Sequence, residues 1–268
     1  MINYFDLRKK NYEDRRIRNN SFEFDILDWK GNPYSCFKAR IYIELSSILA
    51  FIFQFTFLTA NHVSLMYGAS GIIAGLLLIT NIDSLMISGL VIFFLKGTLD
   101  WTDGLIARIK NQTSPIGHIL DTWGSHIGDI SLITSIGIYC YNFTDNNIYL
   151  YVTILILFLK AIDFKLYSFH QLFYELLNQE VKFELKNDKD ENLIKKKDNL
   201  LVIFVKNFMD NRARTTDPVC LLIFLEIVYN LNYFSKIIFW LYFLKAFMLF
   251  FGVFYVYYFR DKLKKNIK

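Results

Sequence analysis

Three cysteines in 268 residues, Cys36, Cys140 and Cys220, leave little for thiol chemistry to organise. Their spacing fits neither a disulfide pair nor a metal-ligand motif, so they read as inert helix residues. The opening MINYFDLRKKNYEDRRIRNN has no apolar core, and no signal peptide is expected there. Positive charge is scarce elsewhere: segments 81–84, 142–147 and 233–236 together hold one basic residue, Lys236. What the chain has in quantity is apolar side chain, 54% hydrophobic and 18% aromatic with 27 Phe. That excludes an ordinary soluble domain and points to a membrane protein.

Apolar runs near 63–80, 85–99, 119–141, 148–167, 218–232 and 237–259 approach the roughly twenty residues needed to cross hydrocarbon. The expected fold is therefore all-α and integral to the membrane, with six transmembrane helices. The stretch 37–60 is interrupted by Lys38, Arg40, Glu44 and Gln54 and reads as an in-plane amphipathic helix along the cytoplasmic surface. Most of the 30 Lys+Arg fall in 1–40, 100–118, 168–216 and 260–268, which places both termini in the cytoplasm. The expected layout is a basic cytoplasmic tail 1–36, the interfacial helix 37–60, a six-helix domain 61–260 with a cytoplasmic loop 168–216, and a basic tail 261–268. The tail 1–36 reads as solvated and held near anionic lipid, or as steering substrate. Segment 182–198 mixes signs and reads as a solvated excursion. Tyr255, Tyr257 and Tyr258 suit an interfacial belt, and Lys160 with Asp163 would neutralise one another.

The chemistry is concentrated between Leu99 and Asp129, LDWTDGLIARIKNQTSPIGHILDTWGSHIGD. Asp100 and Asp103 share a helix face that Ala107 continues. Gly104 offers bare backbone to a ligand, and Arg108 a fixed fork for phosphate oxygens. Gly117 and Asp121 open the next span, followed by Ser125 and Asp129 on one face, while Gly124 and Gly128 form a GxxxG pair that admits a neighbouring helix. Gly68, Gly71 and Gly75 supply small residues to the first span. Carboxylates beside a bilayer are costly unless neutralised, and three aspartates suit one or two Mg2+ or Mn2+ ions. Lys96, one turn before Asp100, reads as an internal charge partner. In Thr59-Ala60-Asn61-His62-Val63-Ser64, Asn61 or Ser64 is a candidate helix cap.

The series Asp100, Asp103, Gly104, Ala107, Arg108, Gly117, Asp121 resembles the motif of the CDP-alcohol phosphotransferase family, whose last position, a further aspartate, is Ser125 here. Ala60, Asn61 and Ser64 stand where members of that family open their first span with Pro-Asn-x-hydrophobic-Thr. The resemblance implies that Asp100, Asp103 and Asp121 hold metal, and that Asn61, Ser64, Gly104, Ala107, Arg108 and Gly117 serve the cytidine nucleotide. It further implies a homodimer and transfer of a phospho-alcohol from a CDP-alcohol to an acceptor alcohol in phospholipid synthesis, at a site that the Lys+Arg asymmetry places on the cytoplasmic face. Membrane lipid is an expected partner and nucleic acid is not.

Ser125 leaves the general base open. Asp129 or His126 supplies it, or the acceptor or a substrate phosphate dispenses with it, or the protein binds nucleotide without turning over. Arg212 and Arg214 either clamp a phosphorylated acceptor or are ordinary cytoplasmic cations. Pro218 suits the first turn of a helix capped by Thr216 or Asp217.

Overall fold

The computed structural model describes residues 2–20, 27, 29, 33–162 and 213–265. Nine helices account for the regular structure among them, with no strand. They are α1 (Tyr4–Asn20), α2 (Pro33–Phe53), α3 (Ala60–Leu78), α4 (Asp83–Leu95), α5 (Gly97–Ile109), α6 (Pro115–Thr144), α7 (Ile148–Ile162), α8 (Ala213–Tyr229) and α9 (Phe234–Lys265). Two compact units form. One contains Met1–Ser135 and Cys220–Tyr229, the other Ile136–Val219 and Asn230–Lys268.

Three stretches among the described residues are long and apolar enough to cross a membrane: Ala60–Leu78, Asp83–Ile109 and Phe234–Phe251. Large apolar side chains such as Ile73, Leu76, Phe158 and Phe251 lie on outer faces, as expected where the surrounding solvent is hydrocarbon. The protein is an integral membrane protein, all-helical among its described residues. The span anticipated at 85–99 continues through the motif helix, because α4 and α5 are joined only by a break at Lys96. There Tyr42 of α2 wedges into the helical ladder: its hydroxyl donates to the Phe94 carbonyl at 2.5 Å, and a Cβ on Gly97 would stand 2.7 Å from its ring. The helix over the run 119–141 is diluted by Asp121, Ser125 and Asp129, and α7 is apolar but shorter.

In the first unit, α3 and α6 meet through their small residues. A Cβ on Gly68 would lie 3.4 Å from Gly124 Cα, one on Gly71 2.8 Å from Gly128 Cα, and one on Gly75 3.1 Å from the Ser131 carbonyl. Numbers rise together along both helices, so they run parallel with backbones in contact. The α4–α5 stretch runs back between them in sequence, with Gly89 beside Ala74 and Leu78 and Asp103 beside Ser64. In the second unit, Gly137 of α6 leaves room for Thr153 of α7 and Phe239 of α9, and Tyr149 meets Phe239 edge-on at 5.3 Å.

Neither Asn61 nor Ser64 caps α3. Thr59 does, accepting from the His62 N–H at 3.4 Å while His62 Nδ1 accepts from the Thr59 N–H at 3.1 Å, a reciprocal capping box. The helix at the start of the membrane region ends at Phe53, not Ala60. Lys110 is the reason: its ammonium takes the carbonyls of Phe53, Thr56 and Leu58 at 3.2, 3.0 and 2.7 Å and so closes the end of α2. Pro218 lies inside α8, which starts at Ala213, so Thr216 and Asp217 are buried helix residues and not caps. A proline there omits one backbone bond, which the rest of the helix outweighs.

Residues 4–20 fold against α2 despite having no apolar stripe. Leu7 is wholly buried in a cluster with Ala50, Ala60, Val63, Leu105 and Ile106. Asn11, also wholly buried, donates to the Ile43 carbonyl and to the Ser46 and Ser47 hydroxyls. Gln54 takes the N–H of Ile2 at 3.1 Å and donates to its carbonyl at 3.0 Å. Arg8 donates to Glu44 at 2.7 Å and Tyr12 joins it at 2.8 Å. The Arg8 guanidinium holds the Glu44 carboxyl below the usual carboxylate range, against the opposing effect of burial. A lowered folded value means that this contribution is present at neutral pH and lost as pH falls through it. The denaturant midpoint at which spin labels on α1 and α2 separate should therefore hold through neutral pH and fall as acid protonates Glu44. A midpoint that stays fixed while Glu44 is protonated would show that the pair contributes nothing, and because both groups are partly exposed the fall is small.

Candidate functional site

The aspartates anticipated as one group come from α5 and α6. Asp100 and Asp121 stand within hydrogen-bonding reach of each other, and the charge of Asp103 bears on Asp100. Asp103 is 7% exposed and engaged on its own account: the Ser64 hydroxyl donates to its Oδ2 at 2.6 Å, and the Gly104 N–H donates to it as well. Among the described residues no three His, Cys, Asp or Glu side chains meet closely enough to hold an ion as they stand. Ser64 is thus a partner of an aspartate, freed for that role by the Thr59 cap. Two ionised carboxylates facing one another repel unless a cation intervenes, and an all-oxygen donor set is what a hard divalent cation takes. Carboxylate oxygens are the donor type that Mg2+ and Mn2+ take.

At the mouth of α6, Ser114 accepts from the Gly117 N–H at 3.1 Å and starts the helix. Asn61 lies over Gly117, with its Oδ1 3.3 Å from where a Cβ would be, so the two residues expected at the nucleotide are brought together. Among the described residues, only Arg108 Nη1, at 3.3 Å, comes within 4 Å of where a Cβ on Gly104 would be. Ala107 instead turns its methyl toward the buried cluster around Leu7 and Leu105. Arg108 is not waiting in solvent: its Nε donates to Asp14 of α1 at 2.8 Å.

The positions after Asp121 carry what the sequence reading missed. Tyr67 of α3 hydrogen-bonds to Ser125, and the charges of Asp100, Asp129 and Asp121 all bear on its hydroxyl. Gly124 makes room for its ring, since a Cβ there would stand 2.8 Å from Tyr67 Cδ1. Gly128 likewise makes room for the Lys96 ammonium, which rests against it 4.9 Å from the Tyr67 ring centre. Asp129 and Asp100 are the carboxylates that act on Lys96, Asp129 the more strongly. The internal partner expected for Lys96 is therefore shared between α5 and α6. His126 is half-buried on α6, one residue beyond Ser125 and so about 100° around the helix from it.

Arg214 lies in α8, while Arg212, Asp163 and the 182–198 segment lie outside the described residues. A family model described as CDP-alcohol phosphatidyltransferase matches residues 57–173. "Inner membrane protein YnbA" of Escherichia coli (strain K12) is 36% identical over 75 residues, 28% of this chain and 37% of that protein. The similarity thus spans little over a third of that relative's length.

Proposed function

From the premise that residues 57–173 belong to the CDP-alcohol phosphatidyltransferase family, we propose that the protein transfers a phospho-alcohol from a CDP-alcohol to an acceptor hydroxyl, releasing CMP, in phospholipid synthesis. The observation that carries the reading is the approach of Asp100 to Asp121 across α5 and α6, with Asp103 held beside them by Ser64.

In this reading the chain crosses the membrane six times, as α3, α4–α5, α6, α7, α8 and α9, with both termini and the site on the cytoplasmic side and two copies forming a homodimer. Asp100, Asp103 and Asp121 hold Mg2+ or Mn2+. When bound, the ion offsets charge on the diphosphate and on the departing CMP. Asn61 and Gly117 frame the nucleotide, and Gly104 lets it approach backbone. The acceptor oxygen bonds to the phosphorus next to the carried alcohol as the bond to CMP breaks. Its proton passes to a side chain near Ser125. Asp129 suits that part better than His126, because its charge bears on the Tyr67 hydroxyl that already bonds Ser125. Arg212 and Arg214, the latter within α8, are the cations assigned to an acidic acceptor.

A second reading is favoured by one observation: Ser125 stands where a fourth aspartate is expected, with Tyr67 and Lys96 filling the surroundings. The protein would then bind CDP-alcohol and metal as a sensor or partner subunit. Purified protein with Mn2+ and CDP-diacylglycerol or CDP-inositol, tested against a panel of acceptors, separates the two. CMP release supports the enzyme. Binding of the CDP-alcohol without CMP release across the panel supports the sensor.

A further inference from the structure

Lys96 stands at the break between α4 and α5, and its side chain turns to α6 and α3. The three atoms nearest to where a Cβ on Gly128 would be are its Nζ, Cε and Cδ, the last two at 3.2 and 3.8 Å, so the bare backbone of α6 is a seat for the ammonium. Helix α3 presses on the same glycine, where a Cβ on Gly71 would lie 2.8 Å from Gly128 Cα. The ammonium lies over the Tyr67 ring, 4.9 Å from its centre, and the charges of Asp129 and Asp100 act on it. An aromatic face with carboxylates nearby is what proteins use to hold the ammonium of a ligand. In this chain a lysine of its own fills that place. A second cation, the buried Lys38 of α2, lies over the Tyr42 and Phe94 rings at 5.0 and 5.4 Å, and its charge reaches Lys96.

We propose that Lys96 is a specificity-determining residue that excludes amino alcohols, so that the alcohol joined to the transferring phosphate is neutral or acidic and bears no positive charge. The inference rests on the reading that this site takes a CDP-alcohol. Its position carries it. Lys96 precedes Asp100 by one helical turn, Gly128 adjoins Asp129, and the ring under the ammonium belongs to the tyrosine that bonds Ser125. The ammonium therefore borders the place where the phosphate changes partners. The carried and the accepting alcohol are both bonded to that phosphorus as transfer proceeds, which brings either one close to Lys96. An ammonium on the alcohol would meet a like charge a few ångströms away and would find the ring face already taken. A hydroxyl in its place meets neither obstacle, and a phosphate there gains from the cation. Bulk cannot make that distinction, since a terminal ammonium and a terminal hydroxyl are nearly the same size. Exclusion of this kind works through a repulsive group built against the wrong ligand.

Calorimetric binding of CDP-ethanolamine and of its hydroxyl counterpart, CDP-ethylene glycol, to the full-length protein in detergent with Mn2+ tests it. The two ligands share a nucleotide and differ in the charge at the end of the alcohol. The unaltered protein should prefer CDP-ethylene glycol by at least about tenfold. Lys96→Met, which keeps the length of the side chain and removes its charge, vacates the ring face and should abolish that preference or reverse it. Gly128→Ala, whose methyl displaces the ammonium from its seat, should reduce the preference in the same direction and takes over if Lys96→Met does not fold. Lys9→Gln, altering an exposed cation of α1, should leave it unchanged. A merely structural lysine would lower both affinities together on substitution and leave their ratio alone. Equal affinities in the unaltered protein, or a preference that survives either substitution, overturns the proposal. Failure of the unaltered protein to bind either CDP-alcohol would instead sink the functional reading, and the inference with it.

Discussion

Asp100→Asn is expected to lower CMP release by at least about 10²-fold while leaving the metal-free protein as stable as before, or more so. The activity loss follows from removing a charge aimed at the cation that offsets the transferring phosphate, an effect of the size seen when a single stabilising group is lost from a preorganised site. The stability half comes from the geometry. Asp100 and Asp121 face each other, and an asparagine can donate its Nδ2 to Asp121 at any pH, where a carboxyl does so only while it holds a proton. Melting curves with and without Mn2+ provide the check. Mn2+ should raise the melting temperature of the unaltered protein in a concentration-dependent way and should do much less for Asp100→Asn. An undiminished Mn2+ shift in the variant would mean that Asp100 holds no metal, whatever the rate. Sites where function is gained at the cost of folding stability behave this way when one of two opposed charges is removed.

The part of this site that was legible beforehand is the part built from local periodicity. Helical spacing put Asp100 and Asp103 on one face, and it put Ser125 and Asp129 on one face of the next helix. It did not show that Ala107, four residues after Asp103, would turn toward the buried cluster around Leu7. The glycines announced a close helix contact, and α3 against α6 is that contact. Their second use was hidden. Gly124 and Gly128 also leave room for the Tyr67 ring and the Lys96 ammonium, side chains that arrive from other helices. The Thr59 cap went unrecognised because its reciprocal partner at the third helical position is His62 where Glu or Gln is usual. The docking of α1 was the least visible of all. Among its anchors are polar groups 32 to 52 residues away, such as Asn11 to Ser46 and Ile2 to Gln54. No periodic pattern in α1 registers a partner that far along the chain.

Ser125→Asp is the substitution with the largest expected gain. A carboxylate at 125 would accept the Tyr67 O–H that Ser125 now bonds, and it would stand one helical turn from Asp121, where the acceptor's proton must be received. General-base help is worth about 10²- to 10⁴-fold, so turnover should rise by about 10²-fold if the rest of the geometry is in place. The same change adds a fourth negative charge to Asp100, Asp121 and Asp129, so the metal-free variant should melt lower than the unaltered protein, and Mn2+ should restore it. Asp129→Asn completes the argument. If Asp129 takes the proton in the unaltered protein, its loss alone should cost about 10²-fold, and Ser125→Asp should rescue the double variant. A general improvement in packing cannot mimic that rescue, because the rescuing change is itself destabilising without metal. A double variant left at background, beside a single Asp129→Asn at full rate, would mean that proton removal does not involve this face of α6. The acceptor or a substrate phosphate would then have to lose the proton unaided, with Tyr67 and Lys96 serving to keep Asp129 paired and the two glycines open.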